Sequence, residues 1–203
     1  MDFEYAVWNC AGLSQERLSY IKHDKTADVT ALVELHGDHA KWIAGDRRVN
    51  GCAAPQKSDP AAGVALVLSD RAANCILSQG CSESGRIVWV RLAGAMQNTF
   101  VVGAYIPHKS RKEPPFQADT MCELDQIIAT CKFSGDTVVV MADFNARVAR
   151  GVQGYTGKWG VHSKPDSGGE QLMELMQTHD LCAASTYFQP PLAVPMAEGH
   201  KAR

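Results

Sequence analysis

The stretch VVVMADFNARVAR, residues 138–150, decides how this chain is read. Val138, Val139, Val140 and Met141 make a short, β-branched apolar run of strand length, the pattern of a strand buried in a sheet. A carboxylate and an amide follow at alternate positions, Asp143 and Asn145, with Arg147 next in the same phase. On an extended chain, alternate residues share a face. The three polar groups are therefore expected to project into one site while Phe144 turns toward the core.

The same arrangement recurs along the chain. Asn9 closes YAVWN (5–9), Glu34 closes VTALVE (29–34) and Tyr105 closes VVGAY (101–105). If those strands lie side by side, their ends gather Asn9, Glu34, Tyr105 and Asp143 at one rim, where active sites of α/β proteins collect. The apolar runs predict strands at Tyr5 to Asn9, Val29 to Glu34, Gly63 to Ser69, Ile87 to Leu92, Phe100 to Ile106 and Thr137 to Met141. Helical spacing predicts helices at Ser14 to His23, Phe116 to Lys132 and Glu170 to His179, the first with Ser14 as N-cap. The Pro- and Gly-containing stretches 50–63, 107–115 and 150–169 read as loops, and the last is long enough to suggest a functional one.

Composition bounds the function. With 203 residues, 45% of them apolar and 21% charged, the chain is expected to fold as a single domain over 1–203 with one sizeable core. A formal net charge of −2 argues against a protein that holds nucleic acid through a broad basic surface, and leaves room for a local basic site. Seven scattered cysteines without a C-x-x-C pair fit reduced thiols better than a disulfide framework or a zinc site. The N-terminus MDFEYAVWNC has no signal-peptide run, and nothing later in the sequence reaches membrane-span length. An intracellular protein, cytoplasmic or nuclear, without membrane association is the expectation. No protein partner can be inferred.

The rim residues suit metal-assisted phosphoester cleavage. A hard divalent cation takes oxygen ligands, commonly one or two carboxylates, and keeps its other positions for water and phosphate; Glu34 is a candidate ligand. An aspartate held by a neighbouring amide, Asp143 with Asn145, can orient and deprotonate an attacking water. Taken singly, each residue has a plainer role open to it: Asn9 as a turn residue before Gly12, Tyr105 as a core aromatic with one hydroxyl hydrogen bond.

Together they form a recognisable series. WNCAGL (8–13), LVELH (32–36), AGVALVLS (62–69), GRIVWVRL (85–92), VVGAYIPH (101–108) and MADFNARV (141–148), in that order, resemble the endonuclease/exonuclease/phosphatase family. The resemblance is nearest to the apurinic-like endonuclease domain of non-LTR retrotransposons and to craniofacial-development-protein-2-like sequences. GKWG (157–160) followed by DSGGEQLMELMQTHDLCAASTYF (166–188) is similar to those proteins' glycine pair, helix and Thr-x-Phe strand.

The resemblance implies a four-layer α-β-β-α sandwich, two packed mixed sheets with outer helices, and a phosphodiesterase site dependent on Mg²⁺, with Mn²⁺ as an alternative. It implies that Asn9 lies beside the metal and Glu34 ligates it, that Tyr105 contacts the scissile phosphate, that Asp143 activates water and that Asn145 orients Asp143 and phosphate. It also implies a nucleic-acid substrate, DNA before RNA. Candidate substrate contacts are His108, Lys109, Arg111 and Lys112 after one rim strand and Arg147, Arg150, Lys158 and Lys164 after another, where positive charge would meet phosphates flanking the cut; the lysines and arginines read equally well as solvated loop cations. Trp42, Tyr155, Trp159 and Phe188 could stack on a base or belong to the core.

The chain departs from the family pattern in three places. Ala142 replaces the usual Gly before Asp-Phe-Asn, and His108 replaces a frequent Asn. After STYFQPPLAVP the sequence closes on MAEGHKAR, without the family's final Asp-containing strand or its Ser-Asp-His motif, so the last strands of the fold are expected to be missing. An impaired remnant or nucleic-acid-binding pseudo-nuclease is therefore an alternative to the endonuclease, and a phosphatase of small or lipid phosphoesters is a further one.

Overall fold

A computed structural model describes residues 3–12, 14, 16, 19, 27–36, 50–53, 63–108, 116–133 and 135–189. In chain order its elements are β1 (Tyr5–Asn9), β2 (Val29–Val33), β3 (Asn50–Ala53), β4 (Val64–Leu68), the one-turn helix α1 (Asp70–Ala73), β5 (Ile76–Cys81), β6 (Ile87–Leu92), β7 (Thr99–Tyr105), α2 (Phe116–Cys131), β8 (Thr137–Asp143), α3 (Ser167–His179) and a 3-10 turn (Ala184–Tyr187). All eight described strands, with α1 and α2, fall in a first compact unit, residues 1–145, and α3 and the 3-10 turn in a second, 146–203.

The first unit is an α/β sandwich of two mixed four-stranded sheets, ordered β1-β2-β4-β3 and β5-β6-β7-β8. β1 runs parallel to β2, and β7 parallel to β8; the other pairs are antiparallel. The C-terminal ends of β1 and β2 and of β7 and β8 are thus the ends that carry the polar residues. Alternate side chains of each sheet meet in the middle: Val29, Ala31, Val33, Val64, Leu66 and Leu68 against Val88, Val90, Leu92, Val101, Tyr105 and Met141. Gly103 marks the tightest approach, because a Cβ there would lie 2.9 Å from Leu66 Cδ2 and 3.3 Å from Val64 Cγ1. The outer face of β7 is covered as well, with Phe100, Val102 and Ala104 fully buried. On α2, Thr120, Met121, Leu124 and Ile128 are buried at helical spacing, as a one-sided amphipathic helix requires.

The end of the first sheet away from the polar rim is tied by Asp28, which precedes β2. Its Oδ1 accepts from Arg71 Nε at 3.0 Å and from Ser69 Oγ at 2.9 Å, and its Oδ2 accepts from Glu4 N at 3.0 Å and from Arg71 Nη2. The Arg71 hydrogen bonds, joined by those from Glu4 and Ser69, hold the Asp28 carboxyl down at about 2 although burial works the other way. In the second sheet Arg91 makes the corresponding bidentate pair with Asp136, at 2.8 and 2.9 Å, and stacks 4.3 Å over the Phe133 ring.

Expected and observed elements differ in three ways. β3 lies in a Gly- and Pro-containing stretch read as loop, and β5 was not expected, because ILSQGC has few apolar residues and carries a glycine. That glycine has a structural reason: a Cβ on Gly80 would sit 2.6 Å from the Trp89 ring, so the indole covers the bare backbone. The expected Thr-x-Phe strand is a 3-10 turn, with Thr186 inside it donating its hydroxyl to Ala183 O at 2.6 Å. The helix expected over Ser14 to His23 falls largely outside the described residues. Six described cysteines, Cys10, Cys75, Cys81, Cys122, Cys131 and Cys182, are free thiols. Among the described residues no helix is long and apolar enough to cross a membrane.

Candidate active site at the strand ends

β1 and β8 are edge strands of different sheets and lie across from one another. Where both end, Asn9 Nδ2 donates to Asp143 Oδ2 at 2.9 Å. The other carboxylate oxygen, Asp143 Oδ1, accepts from the Asn145 backbone N–H at 3.0 Å, and Asn145 Nδ2 donates to Ile106 O at 3.0 Å. Asn9 Oδ1 is itself fixed by Ala11 N at 3.0 Å. One hydrogen bond to each oxygen aims the carboxylate and leaves lone pairs on both for a further donor.

The local backbone explains how the chain delivers these groups. β8 runs through to Asp143, with Ala142 in ordinary extended conformation, so the missing glycine costs nothing there. Asn145 then takes the left-handed conformation, φ +43°, which an Asx side chain tolerates better than most. The chain does not continue extended past Asp143 as the sequence suggested. Asn145 is presented by a turn closed on the Asp143 carboxylate. Arg147 lies in the second unit, where its N–H donates to Asp166 Oδ1 at 3.1 Å.

Glu34 leaves β2 in the same unusual conformation, φ +56°, between Gly12 N, which donates to its carbonyl at 2.9 Å, and Leu35, whose N–H donates to Gly63 O at 3.2 Å. Of the five non-glycine residues with positive φ among the described residues, four (Ala11, Glu34, His36 and Asn145) stand in the turns after β1, β2 and β8. Left-handed backbone at non-glycine residues costs on the order of 1–3 kcal/mol each and gathers where function fixes geometry. The Glu34 carboxylate makes no hydrogen bond or ion pair to the described residues.

Tyr105 pairs with Asp143 in the β7–β8 register and is 7% exposed, its ring belonging to the core between the sheets. Core aromatic and rim residue are therefore both true of it. His108 is exposed two residues beyond the buried Ile106, and Lys109 and Arg111 lie outside the described residues. Arg86 was not among the residues expected at the rim. Its carbonyl accepts from Tyr105 N at 2.9 Å, which extends the β6–β7 register by one pair, and the residue is 6% exposed. Arg86, Tyr105 and Asp143 thus form one row across the rim of the second sheet. The signal was available, since Arg86 is in phase with the core residues Val88, Val90 and Leu92.

Among the described residues no three His, Cys, Asp or Glu side chains converge as a metal cage. What the rim offers instead is oxygen: the Glu34 carboxylate, the Asn9 amide and the Asp143 carboxylate. That set suits Mg²⁺ or Mn²⁺, which accept one or two carboxylates and keep water and phosphate in their other positions.

No protein-family model and no curated protein matches the sequence. Solved structures do. The 3′ phosphatase NExo from Neisseria, bound to a product DNA hairpin, matches at TM-score 0.61 and 16% identity over 87% of this chain and 71% of that one. The endonuclease domain of TRAS1, a telomere-specific non-LTR retrotransposon, matches at TM-score 0.53 and 11% identity over 88% and 71%. A β-hairpin deletion mutant of Staphylococcus aureus beta toxin gives TM-score 0.53 and 14% identity over 88% and 72%. This chain therefore has the fold of the endonuclease/exonuclease/phosphatase proteins, the family its motifs resemble.

Proposed function

We propose that the chain is a metal-dependent phosphodiesterase that cleaves DNA, a retroelement-type endonuclease domain. The observation that carries this reading is the Asp143 carboxylate, fixed on one oxygen by Asn9 from the opposite sheet and on the other by the Asn145 amide N–H. A carboxylate so held can accept the proton of a water whose oxygen bonds to phosphorus as the bond from phosphorus to the leaving oxygen breaks. Asn145 and Tyr105 flank Asp143 and are assigned to phosphate. Glu34 and Asn9 would hold Mg²⁺ or Mn²⁺, which when bound supplies positive charge to the phosphoryl oxygens. A DNA substrate is favoured by two matched structures, one named for a bound product DNA hairpin and one for a retrotransposon endonuclease.

The test is incubation of the purified chain with supercoiled plasmid and Mg²⁺ or Mn²⁺, with EDTA and Asp143→Ala as controls. Nicked circles that vanish in both controls are the expected result. A folded sample that binds plasmid without nicking it would replace this reading by the pseudo-nuclease, and turnover only of small or lipid phosphoesters would replace it by the phosphatase.

A further inference from the structure

The second unit carries an exposed aromatic and cationic surface that the proposed catalytic chemistry does not use. Residues 157–160 and 184–188 are pressed together: Trp159 N donates to Thr186 O at 3.0 Å, and Gly157 N to Thr186 Oγ1 at 2.6 Å. A Cβ on Gly157 would lie 2.3 Å from Thr186 O, so only glycine permits the approach. From these joined segments Trp159, Tyr187 and Phe188 stand 38%, 45% and 72% exposed. Cations accompany them. Lys158 Nζ lies 5.1 Å from the Trp159 ring centroid. The exposed Arg150 packs its Cβ 3.0 Å from the place a Gly160 side chain would fill, and its N–H is tied to His162 O at 2.8 Å.

Three exposed aromatics cost solvation in a protein that has a core available to bury them. Aromatic faces interleaved with Lys and Arg are the arrangement that binds single-stranded nucleic acid, the rings stacking on unpaired bases and the cations meeting the backbone. We infer that Trp159 and Phe188, with Lys158 and Arg150, form a platform for an unpaired nucleic-acid strand. The inference rests on the nucleic-acid reading of the substrate above and adds to it that the bound strand is at least locally unpaired. A second copy of this chain is the competing occupant, but the cations argue against it, because two such faces would bring Lys158 and Arg150 of each copy together.

The experiment is fluorescence anisotropy with a labelled oligothymidine strand and with the same strand in duplex, in EDTA without divalent cation, so that no cleavage enters. Base–aromatic stacking is worth about 1–3 kcal/mol per base, so Trp159→Ala and Phe188→Ala should each weaken single-strand binding about 5- to 150-fold. Trp159→Phe should restore most of that loss, and Lys158→Glu should weaken binding and lower its salt dependence. Circular dichroism checks that each variant is folded, and the largely exposed Phe188 gives a second variant should Trp159→Ala fail to fold. Single-strand affinity unchanged in folded Trp159→Ala and Phe188→Ala would overturn the inference. So would a wild-type dimer in sedimentation that Trp159→Ala dissociates without change in single-strand affinity. Binding through Trp159 without nicking sinks only the nuclease reading, and nicking without a Trp159 effect on binding sinks only the platform.

Discussion

Asn9 and Asp143 are 134 positions apart, and the amide of one donates to the carboxylate of the other at 2.9 Å. Since β1 and β8 belong to different sheets, this bond exists only when the two sheets have closed on each other. The catalytic geometry proposed here is therefore a readout of sandwich packing as well as of local chemistry. Replacing Asp143 by Asn keeps the shape and removes the base, and should lower the nicking rate about 10²- to 10⁴-fold. Asn9→Ala removes a supporting donor and should cost about 10- to 100-fold. Asn9 is exposed, so a thermal melt of Asn9→Ala should move little while the rate falls; a parallel loss of both would assign Asn9 to the fold alone.

Glu34 holds its left-handed backbone at a cost. Glycine adopts φ near +56° without that penalty, so Glu34→Gly should raise stability by about 1 kcal/mol while abolishing metal-dependent cleavage. Glu34→Ala keeps the strained backbone, and it should lose activity without gaining stability. Urea denaturation of the two variants beside a nicking assay separates strain from ligation. Equal stability in both would show that the turn carries no strain.

Much of this site could be read from the sequence because apolar strands end on polar residues. The strands and rim positions of Asn9, Glu34, Tyr105 and Asp143 follow from period and punctuation alone. What period does not encode is the path of the chain once a strand stops. Asn145 was expected on an extended continuation of β8 and instead reaches the site through a left-handed turn. The strand expected at Thr186 gave way to a 3-10 turn because its hydroxyl finds Ala183 O and its carbonyl finds Trp159 N, bonds to loops rather than to a neighbouring strand. β5 escaped notice for a related reason, since Gly80 weakens the strand pattern and the Trp89 ring that covers it comes from the next strand.

Asp28 makes stability depend on acid. Its carboxyl, held at about 2 against an ordinary value of 3.8, is more acidic folded than unfolded, so folding is favoured wherever the group is charged. The contribution is complete above about pH 4 and is lost as pH falls toward 2. Arg71 is half-exposed, which reduces the contribution at neutral pH to about 1–2 kcal/mol. Asp28→Asn should lose that amount at pH 7 and show a shallower fall in melting temperature between pH 4 and 2. A wild-type acid profile unchanged by the substitution would remove Asp28 from the cause.

Gly103 links the packing of the sheets to the chemistry at their rim. It lies on the inner face of β7, two residues before Tyr105 and opposite Met141 of β8. A methyl group there would meet Leu66 Cδ2 at 2.9 Å, and Val64 Cγ1 and Val88 Cγ1 at 3.3 Å each. Gly103→Ala should therefore cost about 1–3 kcal/mol by overpacking, and the parting of the sheets should stretch the Asn9–Asp143 bond and slow nicking too. Leu66→Ala opens a cavity from the other side at a cost of about 2–5 kcal/mol. Because the two substitutions act on the same contact, the double variant should be more stable than the sum of the single losses predicts, by about 1 kcal/mol. Its nicking rate should recover above that of Gly103→Ala. Additive stabilities in urea melts, with no recovery of rate, would show that Gly103 does not set the spacing on which the site depends.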